Sequence, residues 1–172
     1  MKMMSGRFPV ILMVIMVGSC ASVCRAQKSK PSRNSSGSWS LDLAKSEFGE
    51  SPKPKSARLT VALKGKSLSW TSDVVGAHGN HTKLFFDGAM DGQEYPVRSE
   101  PDTGAVSVSY SQNTDGTTHA TSKSPTGITE MTISVSGDAR TLVIKNELTD
   151  NSGDKVTWSE VWKRNSNAKR DK

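Results

Sequence analysis

The chain has 172 residues, enough for one domain of ordinary size. Its formal net charge is +6, but nine of its 23 Lys and Arg residues, and only one of its 17 Asp and Glu residues, lie outside residues 37–164. That central part therefore carries 14 basic against 16 acidic residues, and the basic ends have no interleaved aromatic residues for base stacking, so no nucleic acid is expected as a partner.

The first 26 residues have the pattern of a secretory signal peptide. Lys2 and Arg7 precede an almost purely apolar run, Phe8–Val17, and small residues follow as far as Ala26. A run of about ten apolar residues is too short to cross a bilayer, which needs about 20. We predict cleavage after Ala26, with Ala21 as the alternative, and a secreted or periplasmic protein.

A lipid anchor is the competing interpretation of the same segment. Val17-Gly18-Ser19-Cys20 resembles the lipobox of bacterial lipoproteins, which would make Cys20 a lipidated N-terminus attached to the cell envelope. Cys20 and Cys24 are the only cysteines, so residues 27–172 cannot form a disulfide. A cysteine-free exported domain suits a bacterial protein better than a disulfide-rich eukaryotic one.

The remaining chain divides into a lead, one domain and a tail. Residues 27–36 are rich in Ser, Lys, Pro and Asn and are predicted to be disordered. Residues 37–164 are predicted to form the folded domain, and residues 165–172 a basic tail. Basic ends of this kind permit a peripheral contact with an anionic envelope or membrane surface.

The domain begins with an alternating segment and a connector. Trp39, Leu41 and Leu43 alternate with polar residues, which predicts a half-buried strand. One helical turn is expected over Ala44–Phe48, before an extended Pro-x-Pro connector.

From residue 57 onward, short alternating segments are separated by turn signals such as Asp91-Gly92 and Asp115-Gly116. Pro96 is expected to end or bulge its short strand. About ten strands at roughly ten-residue spacing, joined by short turns, must pair antiparallel with their sequence neighbours. We predict an all-β protein, an antiparallel up-and-down meander closed into an 8–10-stranded lipocalin-like β-barrel, in preference to an open sandwich. A monomer is expected.

Several motifs resemble the lipocalin (calycin) superfamily. They are Gly37-Ser38-Trp39-Ser40-Leu41-Asp42, the Asp91-Gly92-x-x-Tyr95-Pro96-Val97 segment and the Glu160-Val161-Trp162 ending, and in combination they resemble a group of small secreted bacterial lipocalin-like proteins of unassigned function. The resemblance implies that Gly37 and Trp39 belong to a barrel closure in which the indole lies across the closed end and a basic residue packs over it, with Arg164 as the first candidate and Lys163 as the second. It also implies a cavity for a small hydrophobic or amphipathic ligand. Fold resemblance does not identify that ligand.

Five large side chains are expected in the core and are also the candidate lining of such a cavity: Trp70, Phe86, Tyr95, Tyr110 and Met131.

Glu160 is the sixth candidate, and two placements of it are open. Strict alternation with Trp158 and Trp162 would point its carboxylate inward, where it would need a partner such as Arg98, Arg140, a water or a ligand group. A bulge near Glu160 would instead turn Val161 inward and leave the carboxylate in solvent, and we favour this second placement.

The sequence offers little support for catalysis. His78 and His81 are three residues apart, and His119 is the only other histidine, so no metal site is predicted and exposed loop histidines are expected. No nucleophile motif or phosphate-binding loop is present. We therefore expect a non-enzyme without cofactors that binds a ligand; the alternative is a cell-envelope structural or protein-interaction module with a filled barrel.

Overall fold

The computed structural model describes residues 34–166. The predicted signal peptide, the lipidation candidate Cys20, most of the predicted lead and most of the tail lie outside the described residues. Within them, the chain forms ten strands. These are β1 (Gly37–Leu41), β2 (Ser56–Lys64), β3 (Ser67–Val75), β4 (His81–Ala89), β5 (Glu94–Glu100), β6 (Val106–Gln112), β7 (Thr118–Ser124), β8 (Gly127–Val135), β9 (Thr141–Asp150) and β10 (Lys155–Arg164).

The ten strands form a closed antiparallel barrel. Each strand pairs with its sequence neighbour, and β1 pairs with both β2 and β10, so the sheet has no free edge over most of its circumference. The predicted all-β up-and-down barrel is confirmed, at the upper end of the predicted strand number. No helix among residues 34–166 is long and apolar enough to cross a membrane.

Alternation along the strands places the core inside the barrel. On β2, Ala57 and Val61 are buried while Arg58, Thr60 and Ala62 are exposed, which is the period-two pattern of a strand with one face inward. The buried residues from other strands include Trp39, Leu68, Phe86, Val108, Leu142 and Trp162.

The segment between β1 and β2 differs in part from its prediction. β1 is short and reaches β10 only from Trp39↔Arg164 to Leu41↔Trp162. A single turn follows, in which Ser46 N–H donates to Asp42 O at 3.0 Å, but it does not continue through Glu47, which instead forms a β-bridge with Ser159. We call residues 42–55 the strap: residues 42–49 run along the half of β10 that β1 does not reach, and the end of the segment meets β3, where Lys55 N–H donates to Val75 O at 2.8 Å.

Pro96 neither ends nor bulges its strand, contrary to expectation. β5 continues to Glu100, but its ladder with β4 runs only from Lys83↔Glu100 to Phe86↔Val97 and stops before Pro96. A proline cannot donate a ladder hydrogen bond, so the pairing of β5 with β4 stops at Pro96 while the strand itself continues past it.

Candidate functional site

The barrel encloses a cavity of about 300 Å³. Its wall is mostly apolar and is contributed chiefly by β2, β3, β8 and β9, including Leu59, Val61, Leu68, Val74, Ile133 and Ile144. The volume lies at the lower end of the range of small-molecule sites, which are typically apolar clefts with a few placed polar groups. The cavity is therefore the candidate site.

Polar groups interrupt this apolar wall at a few positions. Asn146 and Ser72 are buried and border the cavity, and Glu160 and Tyr110 border it as well. Sequence reasoning missed Asn146 and Ser72, although both occupy inward positions of the period-two pattern on their strands, where a polar residue is a departure from the core composition.

Glu160 points into the barrel, so the favoured bulge is wrong. The ladder between β10 and β9 is unbroken from Lys155↔Thr149 to Lys163↔Thr141, which keeps Glu160 on the same face as Trp158 and Trp162. A bulge would have left an extra unpaired residue in this register. Neither of the two arginines named as possible partners reaches it: Arg98 lies over the ring of Phe85, at 4.5 Å from its centroid, on outward positions of β4 and β5, and Arg140 is exposed.

Two indoles hold the Glu160 carboxyl group. Trp158 Nε1–H donates to Oε1 and Trp162 Nε1–H donates to Oε2, each at 3.0 Å. We call Trp158, Glu160 and Trp162 the indole clamp. The three residues stand at alternate positions of one strand, so this i, i+2, i+4 spacing was the available sequence signal.

The clamp provides hydrogen bonds but no positive charge. Burial raises the pKa of Glu160 above its ordinary value of 4.5, and the two indole hydrogen bonds, which favour the ionised form, only partly oppose this rise. A glutamine would be a poor replacement, because its NH₂ group would face one of the two indole N–H donors. Each carboxyl oxygen retains a further acceptor site that the indoles do not use.

A second polar pair borders the cavity. Trp70 Nε1–H donates to the Tyr110 hydroxyl at 2.8 Å. Burial raises the pKa of Tyr110 above its ordinary value, so this hydroxyl stays neutral. Its own proton has no acceptor among the described side chains, which leaves it able to donate to a molecule in the cavity.

The six predicted ligand-binding residues separate into two groups. Trp70, Tyr110, Met131 and Glu160 border the cavity. Phe86 and Tyr95 do not, because they fill the interior beside it. The Phe86 ring is stacked on Trp70 at 5.6 Å and meets the edges of Tyr95 and Tyr110 at 6.1 and 5.1 Å. These two residues are core, and the aromatic cluster leaves only part of the interior open.

At one barrel end, Arg164 covers Trp39. The guanidinium carbon lies 4.2 Å from the indole centroid, the Trp39 side chain is fully buried, and its Nε1–H donates to Ser35 O at 2.9 Å. The guanidinium also donates to three backbone carbonyl oxygens, those of Ala139, Ser36 and Asn34. This arrangement ties the last strand to the chain that precedes the first.

Gly37 makes room for that guanidinium. A Cβ at this position would lie 2.3 Å from Arg164 Nη1, and the backbone has φ +134°, a conformation that side-chain-bearing residues rarely adopt. Gly37, Trp39 and Arg164 therefore depend on one another. The missing side chain of Gly37 leaves room for the Arg164 guanidinium, which packs over the Trp39 indole.

Solved structures share this architecture. No protein-family model matches the sequence, and no curated protein sequence is significantly similar to it. The zebrafish ileal bile acid-binding protein in complex with cholic acid matches 76% of this chain and 98% of its own, with 15% identity and a TM-score of 0.51. A fatty acid binding protein of Schistosoma mansoni in complex with arachidonic acid matches 78% and 99%, with 18% identity and a TM-score of 0.51.

The protein has the calycin fold.

On the outside of this calycin barrel, within residues 34–166, the depressions are larger than the interior cavity but more open and more polar. His119 lies outward on β7 with Nε2 2.9 Å from Glu130 Oε2, and His81 is exposed at the start of β4. Among residues 34–166, no three His, Cys, Asp or Glu side chains are grouped as metal ligands would be. An open depression over β3–β5 is bordered by polar residues such as Thr71, Asp87 and Arg98 together with apolar ones such as Phe85 and Val97.

Proposed function

We propose that the protein is an exported, non-catalytic calycin barrel that binds a small hydrophobic or amphipathic molecule in its interior. The observation that carries this proposal is the cavity of about 300 Å³, with its apolar wall and few polar groups. At about 30 Å³ per non-hydrogen atom, the volume of a water in the liquid, the cavity accommodates roughly ten such atoms. Two barrels of similar fold are seen with cholic acid and arachidonic acid, which supports the proposal by analogy of architecture.

Export rests on the sequence of residues 1–26, and a monomer on the closure of the barrel, which leaves few strand edges for pairing with a second copy. Mass spectrometry of the exported protein distinguishes the two modes of processing. A chain beginning at Gln27 supports cleavage after Ala26, whereas a diacylglyceryl group on Cys20 supports the envelope anchor.

The test of ligand binding compares one cavity-blocking substitution with a matched control. Ala57 is buried and borders the cavity, whereas Ala62, on the same strand, is exposed on the outer face. Ala57→Phe is expected to place a ring in the cavity and to abolish binding of 1-decanol, a neutral probe of about eleven non-hydrogen atoms that matches the size of the cavity. Ala62→Phe is expected to bind as the unmodified protein does.

Calorimetric titration with decanol, together with native mass spectrometry of freshly purified protein, gives the measurement. Protein that purifies empty and shows no decanol binding contradicts the proposal, and would favour the filled barrel of an envelope interaction module. Equal binding by both variants would place the ligand outside the cavity and would also contradict it.

A further inference from the structure

The charge of the cavity wall, rather than its volume, limits what the barrel can hold. Only two ionisable side chains border the cavity, Glu160 and Tyr110, and among residues 34–166 no Lys, Arg or His does so. Because Tyr110 stays neutral, the only charge available to the interior is the negative charge of the Glu160 carboxylate.

The groups that face Glu160 are all uncharged. On β9 its register partner is Ile144, and Asn146 occupies the diagonal inward position. On β1 the inward residue next to the clamp is Leu41, which pairs with Trp162, and Ser72 and Tyr110 border the same cavity from β3 and β6.

The charged residues of the neighbouring elements point away from the cavity. Lys145 and Glu147 take outward positions on β9, and Lys163 takes one on β10, with its Nζ 2.9 Å from Asp42 Oδ2. In the strap, the charged residues Lys45, Glu47, Glu50, Lys53 and Lys55 are all exposed. Within the part of the chain that the structure describes, therefore, no positive side chain pairs with the carboxylate of the indole clamp.

A buried carboxylate without a cation is costly, and a ligand can relieve that cost. Removing an ion from water costs several kcal/mol in a protein interior unless a counter-charge and hydrogen bonds replace the solvent. The indoles provide two hydrogen bonds and leave an acceptor site on each oxygen. What the Glu160 carboxylate lacks is a positively charged group with N–H donors.

We propose that the molecule bound in the cavity is an apolar compound with a protonated amine at one end, whose ammonium group pairs with Glu160 while its chain lies along the apolar wall. This inference rests on the proposed ligand-binding function and specifies the class of ligand. A carboxylic acid of the same length would place a second negative group beside the carboxylate, which opposes its binding.

The pairing predicts the pH dependence of binding. An alkylamine, like a lysine side chain with its pKa near 10.4, stays protonated below about pH 9. Burial raises the pKa of Glu160 in the empty protein, so a fraction of the molecules carries a protonated Glu160. These molecules must lose that proton before the ion pair forms. Affinity for the amine therefore increases as the pH rises through the pKa of Glu160 and then levels off. An acid that shared a proton with Glu160 would show the opposite dependence, binding more tightly as the pH falls.

The experiment compares three probes with the same ten-carbon chain: decylamine, 1-decanol and decanoate. Titration calorimetry at a series of pH values from about 5 to 8, above the ordinary pKa of a glutamate, is carried out on the full exported protein, on Glu160→Gln and on Glu147→Gln. Glu147 lies on the adjacent strand at an outward position, where its carboxylate pairs with Lys155, so it is the matched control for removing one negative charge.

The unmodified protein is expected to bind decylamine at least tenfold more tightly than decanol, and decanoate most weakly. Glu160→Gln is expected to lose at least tenfold in affinity for decylamine and to lose the pH dependence, whereas Glu147→Gln retains both. The amide of Glu160→Gln leaves one indole N–H unpaired, so the variant needs a control for the integrity of its cavity. Its binding of decanol is that control.

Three results would overturn the inference while leaving ligand binding in place. They are equal affinity for all three probes, tightest binding of decanoate with affinity rising as the pH falls, and an unchanged decylamine affinity in Glu160→Gln. If no probe binds the unmodified protein, the proposed function fails and this inference fails with it.

Discussion

Replacing Gly37 by alanine tests whether the closure of the barrel depends on space for Arg164. Two costs are expected. The backbone at φ +134° is strained for any residue with a Cβ, at about 1–3 kcal/mol. The new Cβ, 2.3 Å from Nη1, also forces the guanidinium away from the Trp39 ring and its Nη1 away from the carbonyl oxygen of Ser36.

The size of the second cost follows from the interactions that the displaced guanidinium gives up. The cation–π interaction contributes about 0.5–2 kcal/mol. A hydrogen bond to a charged group contributes about 1.5–3 kcal/mol. Because the guanidinium is only half-buried, the lower part of each range applies. We expect Gly37→Ala to lower the free energy of unfolding by about 3 kcal/mol.

A double-mutant cycle in urea separates the two costs. In an Arg164→Ala background no guanidinium remains to be displaced, so Gly37→Ala should then cost only its backbone strain of about 1 kcal/mol, a coupling of about 2 kcal/mol. Gly153→Ala is the control, because Gly153 has φ +92° but an added Cβ there would have no other atom within 4 Å. A cost of Gly37→Ala that is the same in both backgrounds, within about 0.5 kcal/mol, would refute the displacement of Arg164.

Two further predictions concern Glu160 and Ala139. Since the folded-state pKa of Glu160 is raised above 4.5, its contribution to stability is complete below pH 4.5 and is lost as the pH rises through the folded-state pKa. The unfolding free energy of the unmodified protein minus that of Glu160→Gln, measured in urea, should therefore fall with pH above 4.5, by at most about 1.4 kcal/mol per pH unit; a constant difference would contradict the burial. Ala139 has φ 55°, so Ala139→Gly should raise the free energy of unfolding by about 0.5–1 kcal/mol and leave the carbonyl that accepts from Arg164 in place; a lower melting temperature would show that this strain is absent.

The sequence predicted the strands well because alternation is a local property. Ala57, Leu59, Val61 and Leu63 indicate an inward face without knowledge of any other strand, and the structure has that face. The strap was harder, because Glu47 bridges to Ser159 on β10 and no neighbouring residue signals that contact.

The candidate site was predicted less completely, for the same reason. A bulge at Glu160 depends on the register with β9, which the sequence of β10 alone does not determine. Alternation identified Phe86 and Tyr95 as inward-facing, but it could not show that they fill the interior with Trp70 while the space beside Ile144 stays open. The role of Gly37 became visible only once Arg164, from the other end of the domain, was placed against it.

The residues that close the barrel, Gly37, Trp39 and Arg164, are distinct from those that line the cavity, and this separation bears on which substitutions the fold tolerates. Gly37, Trp39 and Arg164 pack closely against one another, so a substitution at one of them restricts which residues fit at the other two. Inward residues such as Ser72, Asn146 and Glu160 line the cavity without taking part in that closure. Substitutions at such positions can therefore alter the polarity of the interior without disturbing the contacts among Gly37, Trp39 and Arg164 that close the barrel.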